Sequence, residues 1–182
     1  MGKVIIHAVI TLDGFMADTN GSIDWMFDFP ASNEDEPVVK EVWKELGAVV
    51  GGANKTQTIE DGEEPYGGSL KIPVFEMTHA AHEPIVKDGT TYTFVVDDIA
   101  KAVTMAKKAA GDKSVALLGG TISRQCLQLG LVDEIVLTVV PLLLGDGISL
   151  FGGLGKRIKL ERLETSAFAH ETHMRFRVVV NK

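Results

Sequence analysis

Gly119 and Gly120 follow the apolar run Val115-Ala116-Leu117-Leu118 and lead directly into Thr121-Ile122-Ser123. Two residues without a Cβ let the backbone turn sharply and approach a ligand closely. If a helix opens there, its free amides and its dipole favour an anion such as a pyrophosphate. The same glycines would equally serve a tight strand-to-helix connection that needs them only for packing. Both readings stay open, because short glycine motifs recur without a ligand and the third glycine of the Rossmann fingerprint is absent.

A second stretch, Thr11-Leu12-Asp13-Gly14-Phe15-Met16-Ala17-Asp18-Thr19-Asn20-Gly21-Ser22-Ile23-Asp24-Trp25, mixes turn residues with aromatic ones and has the length of a functional loop. Asp13 falls just past an expected central strand, where α/β sheets hold ligands. It could contact substrate polar groups, or be a turn residue bonded to nearby amides. Val49-Val50-Gly51-Gly52-Ala53-Asn54-Lys55-Thr56 repeats the strand–glycine pattern, with Lys55 as a phosphate partner or simply a solvated lysine. The pairs His79/His82 and His170/His173 lack a completing cysteine or carboxylate, so no metal site is expected. Cys126, the single cysteine, lies on an apolar helical stripe and reads as core. No Gly-x-Ser-x-Gly elbow supports a serine hydrolase.

The elements that would position these residues alternate in type. Val4–Ile10, Ala48–Val50, Val115–Leu118 and Ile135–Val140 are nearly continuous apolar runs, as expected of strands buried on both faces of a parallel sheet. Ile99, Ala102, Val103, Ala106 and Ala110 form one helical stripe, with Asp97 or Asp98 as N-cap and Gly111 as stop. Ile122, Cys126 and Leu129 form another, closed by Gly130. A further helix is expected from about Asn33 to Leu46, with Ser32-x-x-Asp35 as a capping box. Near the end, Thr172, Met174, Phe176, Val178 and Val180 alternate with His173, Arg175 and Arg177, the pattern of a strand with one wetter face. It should pair as an antiparallel hairpin with Ile158–Ser166.

A net charge of −7 argues against nucleic acid and anionic membrane surfaces as partners, though a pocket can still hold a small phosphorylated ligand. With one cysteine no intrachain disulfide can form. The opening apolar stretch is too short for a span, Gly2 lacks a myristoylation context, and a cytoplasmic location is expected.

Three of these regions resemble those of a known family. Thr11–Ala17 is similar to its first-strand motif and Pro73–His79 to its middle strand. Leu118-Gly119-Gly120, continuing through Leu131–Ile135 to Val140–Gly147, resembles its long C-terminal signature. This is the dihydrofolate-reductase-like family that includes the reductase domain of the bacterial riboflavin-biosynthesis deaminase–reductase. The resemblance spans nearly the whole chain. It implies one α/β domain over residues 1–182, with three layers: a mixed, mostly parallel central sheet flanked by helices, ending in an antiparallel hairpin.

It also implies a cofactor, NADPH with NADH as the other option, across the carboxyl edge of the sheet. Gly119, Gly120, Thr121 and Ile122 would take the pyrophosphate. Ala8, Val9 and Ala17 would flank the nicotinamide, and Gly52, Ala53, Asn54, Lys55, Thr78 and His79 the adenosine half. Homodimers are implied as well, and the leucine-rich stretch Val139–Phe151 offers an interface. Ala53 and Ala80 stand where family members carry arginines, which leaves the choice between the two cofactors open. Pro30 stands where dihydrofolate reductases proper place a carboxylate, which argues against folate.

The expected activity is NAD(P)H-dependent reduction of a carbonyl or imine in a small heterocyclic or sugar-derived compound. Asp13, Trp25, Phe27 and Asp28 would meet substrate, and residues 16–29 would form a lid. The reduction of 5-amino-6-(5-phosphoribosylamino)uracil is one such reaction, although no zinc-binding deaminase motif accompanies it here. The alternative is a non-catalytic dinucleotide-binding protein of the same fold.

Overall fold

A computed structural model describes residues 2–29, 37–52 and 65–179. Its strands are β1 (Val4–Thr11), β2 (Phe15–Ala17), β3 (Leu46–Gly52), β4 (Val74–Thr78), β5 (Ile85–Lys87), β6 (Thr90–Val96), β7 (Ser114–Leu117), β8 (Glu134–Val140), β9 (Ile148–Ser149), β10 (Lys159–Phe168) and β11 (Glu171–Val179). Its helices are α1 (Pro37–Glu45), α2 (Ile99–Ala110) and α3 (Gly120–Leu129). Nine strands form one sheet in the order β10-β11-β8-β1-β7-β3-β4-β6-β5, and β2 pairs with β9 in a separate ribbon. Pairing is parallel from β8 across to β6 and antiparallel at both margins, β8-β11-β10 and β6-β5.

The continuous apolar character of β1 follows from its place between β7 and β8, with a helical layer over each face. Alternate residues Val4, Ile6 and Ile10 pack against Ala102, Val103 and Ala106 of α2 and Ile122 and Cys126 of α3. Ile5 turns the other way, onto Val42 of α1 and Val136. Asp98 caps α2 by accepting from the Lys101 amide at 2.8 Å, and Gly111, at φ 64°, ends it.

Several expected boundaries shift. The described part of α1 runs from Pro37 to Glu45, and Leu46, expected as its last residue, starts β3 with 1% exposure. The Ser32-x-x-Asp35 capping box and Val180 lie outside the described residues. In α3 the buried face lies between the Ile122/Cys126 and Ser123/Leu127 rows, which turns Leu129 about 90° away at 3.6 residues per turn. Leu129 is accordingly exposed, and Leu127 takes its expected place in the core. The β5–β6 hairpin was not anticipated, although Asp88-Gly89 at its turn, both at positive φ, is a recognised hairpin signal.

The C-terminal strand departs furthest. Its supposed wet face carries Glu171 and His173 at 1% and 3% exposure, because α1 lies over that side of the sheet. Arg175 on the same face is drawn into a bridge. Its guanidinium donates to both Glu45 carboxylate oxygens at 2.8 Å and to buried Glu134 at 2.7 Å, while Lys3 reaches Glu134 from the other side at 2.6 Å. Burial pushes the Glu134 carboxyl upward, but the Lys3 and Arg175 contacts outweigh it and hold the group charged. The bridge ties the end of α1 to β8 and β11.

Candidate active site

Parallel pairing brings the ends of β1, β7, β3, β4 and β6 to one edge of the sheet, where loops carry most of the sequence-selected residues. At its centre, Gly119 sits at φ 90° as the N-cap of α3, exposed, with nothing within 4 Å of where a Cβ would stand. The first amides of a helix have no partners inside it, so this junction is an open, donor-rich cradle that fits a pyrophosphate. Gly120 is a different case. A Cβ there would meet the Arg124 guanidinium at 2.9 Å, and the Met16 sulfur and the Ser149 carbonyl at 3.1 Å each. Of the two readings of this motif, Gly119 fits the ligand and Gly120 the packing. Thr121 is exposed, and Ile122 is buried with its side chain 3.5 Å from a Cβ built on Gly52.

Toward β1, Ala8 and Val9 are partly covered and Ala17 is buried. Away from it, Thr78 and His79 end β4, and the His79 Nδ1 lies 2.6 Å from the Asp97 carboxylate at the end of β6. Ala53, Asn54 and Lys55 lie outside the described residues, as does Pro30.

Asp13 does something the sequence did not reveal. One carboxylate oxygen accepts from the Thr11 hydroxyl at 2.5 Å and the Leu144 amide at 3.2 Å, and the other from the Gly145 amide at 2.8 Å. The Thr11 and Gly145 bonds hold the carboxyl below its ordinary range. The amides it binds belong to the loop after β8, over 130 residues away, so Asp13 sits in the Thr11–Gly14 turn and also ties that turn to a distant loop, with its carboxylate still exposed. The loop it begins is also partly pinned. Phe15, just before the expected lid, and Ala17, inside it, pair with Ser149 and Ile148. Trp25 is partly covered, and its indole N–H is buried without an acceptor among the described residues. Phe27 stands 79% exposed and Asp28 is exposed.

Under the α1 layer lies a set of polar and aromatic residues that belong to no sequence motif. The His7 ring stacks on Tyr66 at 5.6 Å between centroids, with its Nδ1 3.1 Å from the phenol oxygen, and Trp43 meets Tyr66 edge-on at 5.5 Å. Burial, aided by His173 and Arg175, lowers the His7 pKa to about 4, so the ring is neutral near pH 7. Two strands over, buried His173 lies 3.0 Å from the Thr138 hydroxyl. The available signal was His7 itself, a lone polar residue interrupting an otherwise apolar central strand. Cys126 is fully buried among apolar neighbours, which push its thiol up to about 12 and keep it unreactive.

The leucine-rich stretch divides. Leu150 is in the core and Phe151 packs against it, whereas Leu143 and Ile148 stay exposed. Among the described residues no helix is long and apolar enough to cross a membrane.

This architecture has known counterparts. The protein YyaP of Bacillus subtilis is 26% identical over 177 residues, covering 92% of this chain and 89% of its own. The bifunctional diaminohydroxyphosphoribosylaminopyrimidine deaminase/5-amino-6-(5-phosphoribosylamino)uracil reductase of Thermotoga maritima superposes with a TM-score of 0.66 at 15% identity, over 98% of this chain and 57% of that one. Dihydrofolate reductase of Enterococcus faecalis, solved with NADP(H), superposes with a TM-score of 0.64 at 9% identity, over 97% and 96%. The fold is thus dihydrofolate-reductase-like, and residues 70–174 match the RibD C-terminal domain model. The chain belongs to the RibD C-terminal domain family.

Proposed function

We propose that this chain is an NAD(P)H-dependent reductase acting on a carbonyl or imine of a small heterocycle, with a pyrimidine ring as the leading substrate class. The observation that carries the reading is the open cradle at Gly119, placed mid-edge between the aromatic loop after β1 and the ends of β3 and β4. The family assignment supports it, since the Thermotoga relative is named for reduction of a uracil derivative.

A bound nicotinamide would supply the hydride; the protein's part is orientation and exclusion of water. Gly119 and Thr121 would hold the pyrophosphate. Ala8, Val9 and Ala17 are small enough to let a flat ring lie against the ends of β1 and β2. Trp25, with its N–H unpaired among the described residues, and Asp28 would face the substrate from the loop. His7, neutral above pH 4, offers a ring face and a hydrogen bond, not a charge. The proton would then come from solvent.

The assembly we propose is a cytoplasmic homodimer. Its support is the apolar surface left at Leu143 and Ile148, together with Leu160, Leu163 and Phe168 on the edge strand β10.

Titrating wild type with NADPH and NADH, then following nicotinamide absorbance with a panel of pyrimidine and aldehyde substrates, tests the activity. Thr121→Glu, which sets a carboxylate against the pyrophosphate from an exposed position, should weaken cofactor binding at least tenfold, about 1.4 kcal/mol, with the far-ultraviolet circular dichroism spectrum retained. Gly120→Val would be uninformative, since its side chain would collide with Met16 and Ser149 whether or not a ligand binds there. Wild type that binds neither dinucleotide would overturn the proposal. Binding without turnover on any substrate would leave the non-catalytic alternative.

A further inference from the structure

We infer that Asp97, held by His79 at the far end of the cofactor edge, selects against a 2′-phosphate, so that the chain takes NADH at least as readily as NADPH. This deepens the cofactor reading above and rests on it.

The placement follows from the edge itself. The aromatic loop lies at the β1 end, so the reactive half of a dinucleotide belongs there, and Gly119 after β7 marks the pyrophosphate. The other half is left the ends of β3, β4 and β6. With strands about 4.8 Å apart, the end of β4 lies roughly 10 Å from that of β7, within reach of an adenosine ribose. Gly52 at the end of β3 lies beside α3, since a Cβ built on it would stand 3.5 Å from the Ile122 side chain.

What waits there is a carboxylate. Asp97 has φ 49°, a left-handed conformation that aspartate tolerates better than most residues. Its amide donates to the Thr78 carbonyl at 3.2 Å, which sets the residue over the end of β4. The 2.6 Å contact with His79 then fixes the side chain, although both partners are well exposed. A fixed carboxylate accepts from a ribose 2′-hydroxyl and repels a phosphate at the same position. A 2′-phosphate is ordinarily met by an arginine fork, and the residue following His79 is Ala80.

The test is direct titration of the intact chain with NADH and with NADPH, following quenching of tryptophan fluorescence, for wild type and Asp97→Asn. Asparagine keeps the size and the tolerance of positive φ while removing the charge. Wild type should bind NADH as tightly as NADPH or more tightly. Asp97→Asn should tighten NADPH at least threefold and leave NADH unchanged or weaker. A wild-type preference for NADPH of tenfold or more, or a ratio that Asp97→Asn does not move, would overturn the selection by Asp97 while leaving the reductase reading intact. Failure to bind either dinucleotide would overturn both.

Discussion

On the face covered by α2 and α3, Val4, Ile6, Val115 and Leu117 pack against alanines, valines and Cys126. On the α1 face, Ile5, Val42 and Val136 share the sheet with His7, Thr138, His173, Glu134 and Arg175. The first face is held by shape alone and its stability should not depend on pH. The second is held partly by groups whose charge state must be right, and it is also the face that α1, Trp43 and Tyr66 overlie. The buried titratable groups named here thus lie in one layer, with an apolar layer behind it.

The largest effect should come from breaking the dry face. Leu117→Ala removes a side chain that is 1% exposed at the centre of that cluster, and should destabilise by about 2–5 kcal/mol in urea unfolding. The loss should be the same at pH 5 and pH 7.5; a loss that varied with pH would blur the distinction between faces.

The α1 face should respond to acid. His7 has its folded-state pKa lowered from 6.5 to about 4, so unfolding takes up a proton between those values. Its contribution is fully present above pH 6.5 and is lost as pH falls toward 4, amounting to up to about 3 kcal/mol. Carboxylates titrate in the lower part of this window too, so the difference between wild type and His7→Gln is the quantity to follow. A difference that stays flat from pH 7 to 4 would show that His7 carries no such load.

A smaller effect is expected from Arg175→Met, which leaves buried Glu134 with Lys3 alone. A destabilisation of about 2 kcal/mol is expected, below the figure for a wholly unpaired buried charge because Lys3 remains. Adding Glu134→Gln should recover part of it. If the double variant is as unstable as the sum of the singles, the two side chains do not act as a pair.

These two faces were unequally legible in the sequence. The dry face could be read directly, since continuous apolar strands and the Ile99–Ala110 stripe admit one packing solution and the caps at Asp98 and Gly111 declare themselves. The other could not. His173 and Arg175 alternate with apolar residues as they would on a solvated strand, and only α1, laid over that face in space, buries His173 and half-covers Arg175. Asp13 shows the same limit, because its partners at Leu144 and Gly145 are adjacent only after β1 and β8 have paired in parallel. At the carboxyl edge the glycine pair was recognisable. Which of the two glycines is open depended on where Met16, Arg124 and Ser149 settled, and pair spacing holds no information about that. Asp97 was read only as a possible helix cap, a role its neighbour Asp98 takes.

The latch between the loops after β1 and β8 has a consequence for motion. Leu12 donates to Leu142, Asp13 grips the Leu144 and Gly145 amides, and Leu150 donates to Gly14, after which β2 and β9 pair. A loop fastened at so many points cannot swing from its root at Thr11. Any opening and closing must instead hinge just beyond Ala17, near the Asp18 turn whose carboxylate accepts from Asn20 and Ser22. Beyond that turn come Trp25 and Phe27, so a modest rotation about it would displace the aromatic pair while the paired β2 and β9 stay still. Exchange of substrate and exchange of cofactor would thereby run on separate clocks, the first set by the arm and the second by release from a fixed edge.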